Sequence, residues 1–395
     1  MLRVPVEQAK PNMILARSVS NPEKPEHILL KAGYCLEEET ISRLRSLRIR
    51  NLWVKYPNLD FLDELLDPEV VQKQQNLYGS LKERFSEAQD LCLAKTDYSV
   101  YVEQVGSLFT RLLNREKTSP ALYISELQGE ADDILAHCTT VAYLSLLLGL
   151  RLENYLIHER PKLPTHLATD LTPLGVGCLL HDIGKMKLPE ELRGFHLTAQ
   201  DLGSPEWRSH TEAGYEMIQG GLDPSAAQVV LNHHQHYDGS GFPARKQEMG
   251  ILQICNPLKG NEIHIFCRIA ALADRFDGLR HLPGGEISPV IVSLKRMKNP
   301  GYQKWFDPLI YPFFTQTVPP FAPGDQVVLN NGQPVVVTEF NDFSPCRPVV
   351  RPIDPALAEK PDVTNTVLEP DINLALRTDF YIQRIGDYDI SKYLF

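Results

Sequence analysis

The stretch CLLHDIGKMKLP, Cys178–Pro189, decides how this chain is read. An apolar run stops on an imidazole and a carboxylate side by side, and Gly184-Lys185 follow at once. Buried polar groups cost free energy unless something satisfies them, so whatever surrounds His181 and Asp182 should want both. The segment LGVGCLLHD reads as a buried helix ending on the pair. Outward from it, further histidines and aspartates stand on predicted helices or at their ends. His137 lies beside a stripe of Ile134, Val141, Leu144 and Leu148, with Asp133 four residues earlier on the same face. His210 follows Ser204-Pro205, a favourable N-cap and first helical residue, and Gly214 leaves room one turn later. His233-His234 end a helix that starts at Asp223-Pro224. The loop DGSGFP, Asp238–Pro243, is rich in turn residues, and Asp274 sits on the apolar helix FCRIAALADRFDGL.

Each of these is weak alone. A single helical histidine is more often a satisfied core residue than a ligand, and His236 and His264 are read that way. Lys185 alone would be an exposed lysine. The force lies in the set, His137, His181, Asp182, His210, His233, His234 and Asp274, each near an apolar helical stripe. Imidazole with carboxylate suits iron, manganese, nickel or zinc, not a magnesium-only or thiolate site. Helical neighbours project about 100° apart, so Asp182 can turn toward a second ion while His181 faces the first. The expected chemistry is a two-metal centre, Asp182 bridging, in which a bridging hydroxide attacks a phosphoryl group and Lys185 meets a non-bridging oxygen.

The bulk numbers leave room for this. The chain has 395 residues, 43% of them hydrophobic, which is ample for several domains. The formal charge is −10 with no basic block, which argues against a polymeric nucleic-acid partner but not against a small anion in a local basic pocket. The N-terminus MLRVPVEQAKPNM is not a signal peptide, and the most apolar stretches, such as Val141–Leu150, fall short of the roughly 20 residues of a membrane span. Seven cysteines occur with no CxxC pair, as expected of reduced thiols in a cytoplasmic protein. No GxxxxGK[ST] loop and no GxSxG elbow suggests another chemistry.

The texture changes along the chain. Residues 1–57 read as a small α+β module, with short strand-like runs, a helix near Leu36–Leu47 and the strand NLWVK. Residues 58–117 read as charged amphipathic helices: a linker and homodimerisation arm, or helices packed on the next domain. Residues 118–316 are mostly helical and hold most of the twelve histidines. Residues 317–395 read as a small β module, opening with strand, Asn-Gly turn and strand in PGDQVVLNNGQPVVVTEF.

His181-Asp182 together with Gly241-Phe242-Pro243 resembles the HD-GYP family of cyclic dinucleotide phosphodiesterases, within the HD phosphohydrolase superfamily. The order is specific: a His, then HDIGK, then a His with Gly four later, then HH before DGSGFP, then an Asp in an apolar helix. The resemblance covers about residues 125–312. It implies a mainly α protein, an HD-type helical bundle carrying two or three iron or manganese ions and hydrolysing cyclic di-GMP to pGpG or GMP. The metal ligands it implies are His137, His181, Asp182, His210, His233, His234 and Asp274. Lys185 would bind substrate phosphate, and the loop of Gly241, Phe242 and Pro243 would lie at the substrate or at a GGDEF-type or other signalling partner.

The sequence departs from the family in places. Gln235 stands where the family has the acid of HHE, and GFP stands for GYP. A third ion would need a Glu where Asp133 lies. After Asp274 the family's phosphate-binding arginines are missing, and Arg280 is the nearest substitute. The segment ARKQEMGILQICNPLKGNEI after Pro243 is longer than the family pattern and could lid or block a cleft. Two alternatives therefore stay open: a catalytically weak cyclic di-GMP receptor or partner-binding protein, and a phosphohydrolase for another nucleotide.

Overall fold

A computed structural model describes the chain except residues 22–26, 48, 50, 66, 89–97, 115–133, 195–202, 219, 250–251, 283–285 and 360–369. The chain opens with β1 (Leu2–Pro5), β2 (Val19–Ser20), β3 (Ile28–Leu30), α1 (Glu38–Ser46) and β4 (Asn51–Val54). β1 pairs antiparallel with β4, Leu2 opposite Val54 and Val4 opposite Leu52. Leu2, Val4, Ile41, Leu44 and Leu52 are buried, and they belong to the same apolar cluster as the helices that follow. This opening segment therefore shares its core with the rest of the protein.

α2 (Pro68–Ala88) and α3 (Ser99–Leu113) come next. Their apolar stripes, Val70, Leu77, Leu81 and Phe85 on one and Tyr101, Val105, Leu108 and Leu112 on the other, are buried in that core. Both helices thus pack on the rest of the chain. Gly175 lies so close to Val105 that a Cβ there would come within 2.5 Å of a valine methyl.

The helical centre comprises α4 (Ile134–Leu150), α5 (Glu153–Glu159), α6 (Thr172–Leu180), α7 (His210–Ile218), α8 (Pro224–Asn232) and α9 (Ile265–Gly278). α4 is apolar all round, and every residue from Leu135 to Gly149 is buried, as expected of a helix surrounded by others. It packs on α6 and α9, and α8 packs on α6. Each fully buried Leu or Ile here contributes about 1.5–3 kcal/mol of apolar transfer. Between α8 and α9 the long post-Pro243 segment forms a hairpin, β5 (Arg245–Met249) paired with β6 (Leu252–Asn256).

α10 (Val290–Met297) and α11 (Ile310–Thr317) lead to a six-stranded antiparallel sheet. Its strands are β7 (Gln326–Leu329), β8 (Pro334–Glu339), β9 (Val349–Pro352), β10 (Ile372–Asn373), β11 (Ile382–Ile385) and β12 (Tyr388–Asp389), in the order β10-β9-β8-β7-β11-β12. The expected Asn-Gly turn joins β7 to β8, with Gly332 at φ 86°, a backbone that glycine adopts without strain. The sheet is tied to the opening segment: Arg351 donates to the Asn58 carbonyl at 2.6 Å, and Arg3 faces Asp325 at 3.7 Å. Among the described residues, no single helix is long and apolar enough to cross a membrane.

Candidate metal centre

Five segments meet around Asp182. α6 delivers His181 as its C-cap, and the chain then tightens into a 3₁₀ turn, Ile183–Lys187. In a 3₁₀ turn residues three apart eclipse, which brings the Lys185 ammonium to 2.6 Å from Asp182 Oδ2. Gly184 is needed for the next contact. A Cβ on it would lie 1.9 Å from the His210 carbonyl oxygen and 2.5 Å from Gly214 N. Two glycines thus let the α7 backbone touch the turn, and His210 arrives beside Asp182. The expected helix from Ser204 is split in two. Ser204 does cap its start, accepting from Trp207 N, but the first piece ends at Arg208 and α7 begins at His210. α8 starts as expected, Asp223 capping through Ser225 N, and ends just before His233-His234.

The histidines are oriented by backbone carbonyls three residues back. His181 Nδ1–H donates to Cys178 O at 2.6 Å, His210 to Trp207 O at 2.6 Å, and His233 to Val230 O at 3.0 Å. A carbonyl only accepts, so each Nδ1 carries the proton and each Nε2 is left with its lone pair. These lone pairs gather on one carboxylate. His210 and His233 Nε2 lie 3.5 and 3.8 Å from Asp182 Oδ1, and His181 and His137 Nε2 lie 3.4 and 3.7 Å from Oδ2. Asp274 closes the far side, Oδ1 at 3.1 Å from His137 Nε2 and Oδ2 at 3.6 Å from His234 Nδ1. All seven residues singled out in the sequence therefore converge.

Electrostatics keep the ligands in binding form. Burial pushes His210 down to about 3 and His233 down to about 4. Burial likewise lowers His181, and it holds His234 well below the usual imidazole range. Burial opposes ionisation of Asp182, but Lys185 and the imidazoles around it outweigh that and hold it well below the usual carboxylate range. His137 is the exception. Burial opposes its charge too, yet Asp274 and Asp277 on its two nitrogens raise it to about 9.

Three buried atoms, His181 Nε2, His234 Nε2 and Asp182 Oδ1, have no hydrogen-bond partner, and two lone-pair nitrogens, His210 Nε2 and His233 Nε2, face each other at 3.4 Å. Uncompensated, this would be costly; divalent cations would satisfy these atoms. Six of the seven fall into two groups with donor atoms within 4.8 Å of one another, His137-His181-Asp182 and Asp182-His210-His233-His234, which share Asp182; a third group of this kind, His137-Asp277-His281, lies on the other side of His137. The donors are nitrogen and oxygen only. Cys178, close by, is pushed up to about 12 by burial and stays a thiol. The residues fit an imidazole–carboxylate metal centre.

The remaining expectations divide. Phe242 packs on His234, ring centroids 4.7 Å apart, and the Arg208 guanidinium lies 5.2 Å from the Phe242 ring centroid. Gly241 has no room for a side chain, since a Cβ would come within 2.4 Å of the His234 carbonyl oxygen. Gln235 is buried and uses both ends of its amide: Nε2 donates to Pro243 O at 2.7 Å and Oε1 accepts from Leu258 N at 3.0 Å. A carboxylate could not make the first bond. Arg280 is buried with Nη1 3.5 Å from Asp277, behind His137. His264 caps α9, accepting from Phe266 N, and His236 stacks on Trp305 at 4.0 Å. Asp133, the candidate for a third ion, lies outside the described residues. Sequence reasoning missed Asp277, whose Oδ2 accepts from His137 Nδ1 at 2.8 Å. The spacing Asp274-x-x-Asp277, one helical turn on one face, was the available signal.

Residues 168–310 match the family described as HD domain. That match agrees with the resemblance drawn from HDIGK. The chain is similar along 95% of its length to the cyclic di-GMP phosphodiesterase PA4108 of Pseudomonas aeruginosa, at 23% identity and covering 90% of that protein. A 3′3′-cGAMP-specific phosphodiesterase of Vibrio cholerae is 34% identical over 106 residues, which are 25% of this chain and 17% of the relative. The response regulator RpfG of Xanthomonas campestris, named a cyclic di-GMP phosphodiesterase, is 33% identical over 105 residues, 25% of this chain and 24% of that one. Among solved structures, Bd1817, an HDG"Y"P protein of Bdellovibrio bacteriovorus, aligns at 16% identity with a TM-score of 0.46, covering 79% of this chain and 97% of that one.

Proposed function

We propose that this protein is a metal-dependent phosphodiesterase that hydrolyses cyclic di-GMP to pGpG, GMP or both, with iron or manganese as its ions. The observation that carries the reading is the sharing of the Asp182 carboxylate, two imidazole Nε2 atoms on each oxygen. When bound, two divalent ions there supply an activated water and neutralise charge on the phosphate. His137, His181 and Asp274 would hold one ion and His210, His233 and His234 the other, with Asp182 available to both. Lys185, already 2.6 Å from Asp182, extends its ammonium to a non-bridging phosphate oxygen. Phe242, in the loop Gly241–Pro243, walls the centre beside His234. Residues 1–57 act as a regulatory module, 58–117 as the helices coupling it to the catalytic domain at 118–316, and 317–395 as a β module.

The test is one paired assay on protein purified without oxygen: metal content by elemental analysis, and turnover of cyclic di-GMP with iron or manganese supplied. Two metals per chain with linear dinucleotide or GMP released sustains the reading. Metal without turnover moves it to a cyclic di-GMP receptor. The relative named for 3′3′-cGAMP favours a second reading, another cyclic dinucleotide as substrate; turnover of 3′3′-cGAMP above that of cyclic di-GMP in the same assay decides for it.

A further inference from the structure

A small cleft beside the candidate metal centre is lined by His233, His234 and Asp274 together with His236, Arg275 and Trp305. Arg275 is its cation. Two rings hold the guanidinium, Trp305 at 5.0 Å and Tyr302 at 5.9 Å, and His236 stacks on Trp305 in turn. Cation–π contacts of this kind fix a direction without neutralising the charge. Arg268, two turns earlier on α9, shows the contrast: it is paired with both Glu159 and Asp307. Arg275 has no such carboxylate among the described residues. Its charge still reaches the site, adding to burial in lowering both His234 and His236.

Building on the phosphodiesterase reading above, we propose that Arg275 is a phosphate-binding residue of this site, its guanidinium fork gripping a phosphate of the nucleotide seated across His234 and Asp274. This supplies the cation that the sequence lacks after Asp274, one residue on rather than at Arg280, which is turned to Asp277. A plain role in the last turn of α9, where any cation favours the helix dipole, would not need the aromatic seat and would not distinguish arginine from lysine.

The experiment is calorimetric titration of the manganese-loaded protein with cyclic di-GMP, with inorganic phosphate and with guanosine, for wild type, Arg275→Ala and Arg275→Lys. Losing a charge-assisted pair of about 1.5–3 kcal/mol weakens binding by roughly tenfold to a hundredfold. That loss is expected for cyclic di-GMP and phosphate in Arg275→Ala, with a partial return in Arg275→Lys. Guanosine binding and metal content should not move. Unchanged phosphate binding in Arg275→Ala, or an equal loss for guanosine, overturns the assignment. Wild-type protein that binds phosphate through Arg275 but does not bind cyclic di-GMP overturns the substrate reading and keeps the phosphate grip.

Discussion

Asp277→Asn keeps the shape of the side chain and changes only its charge and one acceptor, so its effect isolates what Asp277 does for His137. In the structure Oδ2 accepts from His137 Nδ1 at 2.8 Å and lies 3.4 Å from His281 Nε2, while Oδ1 lies 3.5 Å from Arg280 Nη1. Every neighbour is a donor. An amide has one acceptor oxygen, so in either orientation its NH₂ points at a buried donor. With the oxygen on His137 the amide opposes Arg280, and with the oxygen on Arg280 it opposes the imidazole and turns His137 toward the wrong tautomer. Removing the carboxylate behind a ligating histidine typically costs 10–100-fold in metal affinity, about 1.4–2.7 kcal/mol. The assay is manganese titration of metal-free protein by calorimetry, beside thermal melts. A pH dependence accompanies it. Burial pushes the Asp277 carboxyl up, but the bonds from His137 and His281 outweigh it and hold the group below the usual carboxylate range. A depressed carboxylate stabilises the fold fully above its unfolded value of about 3.9 and loses that contribution as pH falls below it. The stability gap between wild type and Asp277→Asn should therefore narrow below about pH 4. Wild-type manganese affinity in the variant would refute the reasoning, because Asp277 would then not be what orients His137.

Three further outcomes are expected. Asp182→Ala removes the carboxylate shared by both ligand groups, so elemental analysis should find metal lost and cyclic di-GMP turnover should vanish; full metal occupancy would remove Asp182 from the centre. Gly184→Ala drives a methyl to 1.9 Å from the His210 carbonyl and should lower stability by about 1–3 kcal/mol or more, whereas Gly79→Ala in α2, where a Cβ meets nothing within 4 Å, should raise it by up to about 1 kcal/mol; melts of the two variants moving together would refute the close-approach argument. Gln235→Glu sets a carboxylate oxygen against Pro243 O and should cost about 1–3 kcal/mol, read by chemical denaturation; a variant as stable as wild type would mean the amide does not anchor the GFP loop.

Much of the site was legible because its signals are local. Ser204 and Asp223 as caps, the apolar stripe of α4 and the glycine four after His210 are all properties of one helix and its neighbours. What the sequence hid depends on three-dimensional neighbours. Arg280 looked like a free cation, since nothing in DGLRHLPGGE says that its guanidinium folds back on Asp277. Gln235 looked like a lost acid, yet its amide bridges Pro243 and Leu258, segments on opposite sides of the β5–β6 hairpin. Arg275 gave no signal because the rings that seat it, Tyr302 and Trp305, come from a segment nearly thirty residues on. The elements of the opening segment are short, and hydrophobic pattern alone does not reveal that their buried faces join the same apolar cluster as the helices.

The placement of the ligands at helix ends has a physical reason. The last four carbonyls of a helix have no intrahelical donor. Cys178 lies in the last turn of α6, Val230 in the last turn of α8, and Trp207 in the short helix ending at Arg208. Their oxygens are therefore available to His181, His233 and His210, each three residues on. One bond satisfies the carbonyl, fixes the tautomer and turns Nε2 inward. A histidine in mid-helix must share the carbonyl three or four residues back with a backbone N–H, as Thr139 Oγ1 does at Leu135 O. His137 lies inside the first turns of α4, and it is the histidine that needs a carboxylate, Asp277, to do the same work. The interruption of the helix between Arg208 and His210, and the change to a 3₁₀ turn after His181, are on this argument part of the site: continuous helices through either point would make each imidazole share its carbonyl with a backbone N–H.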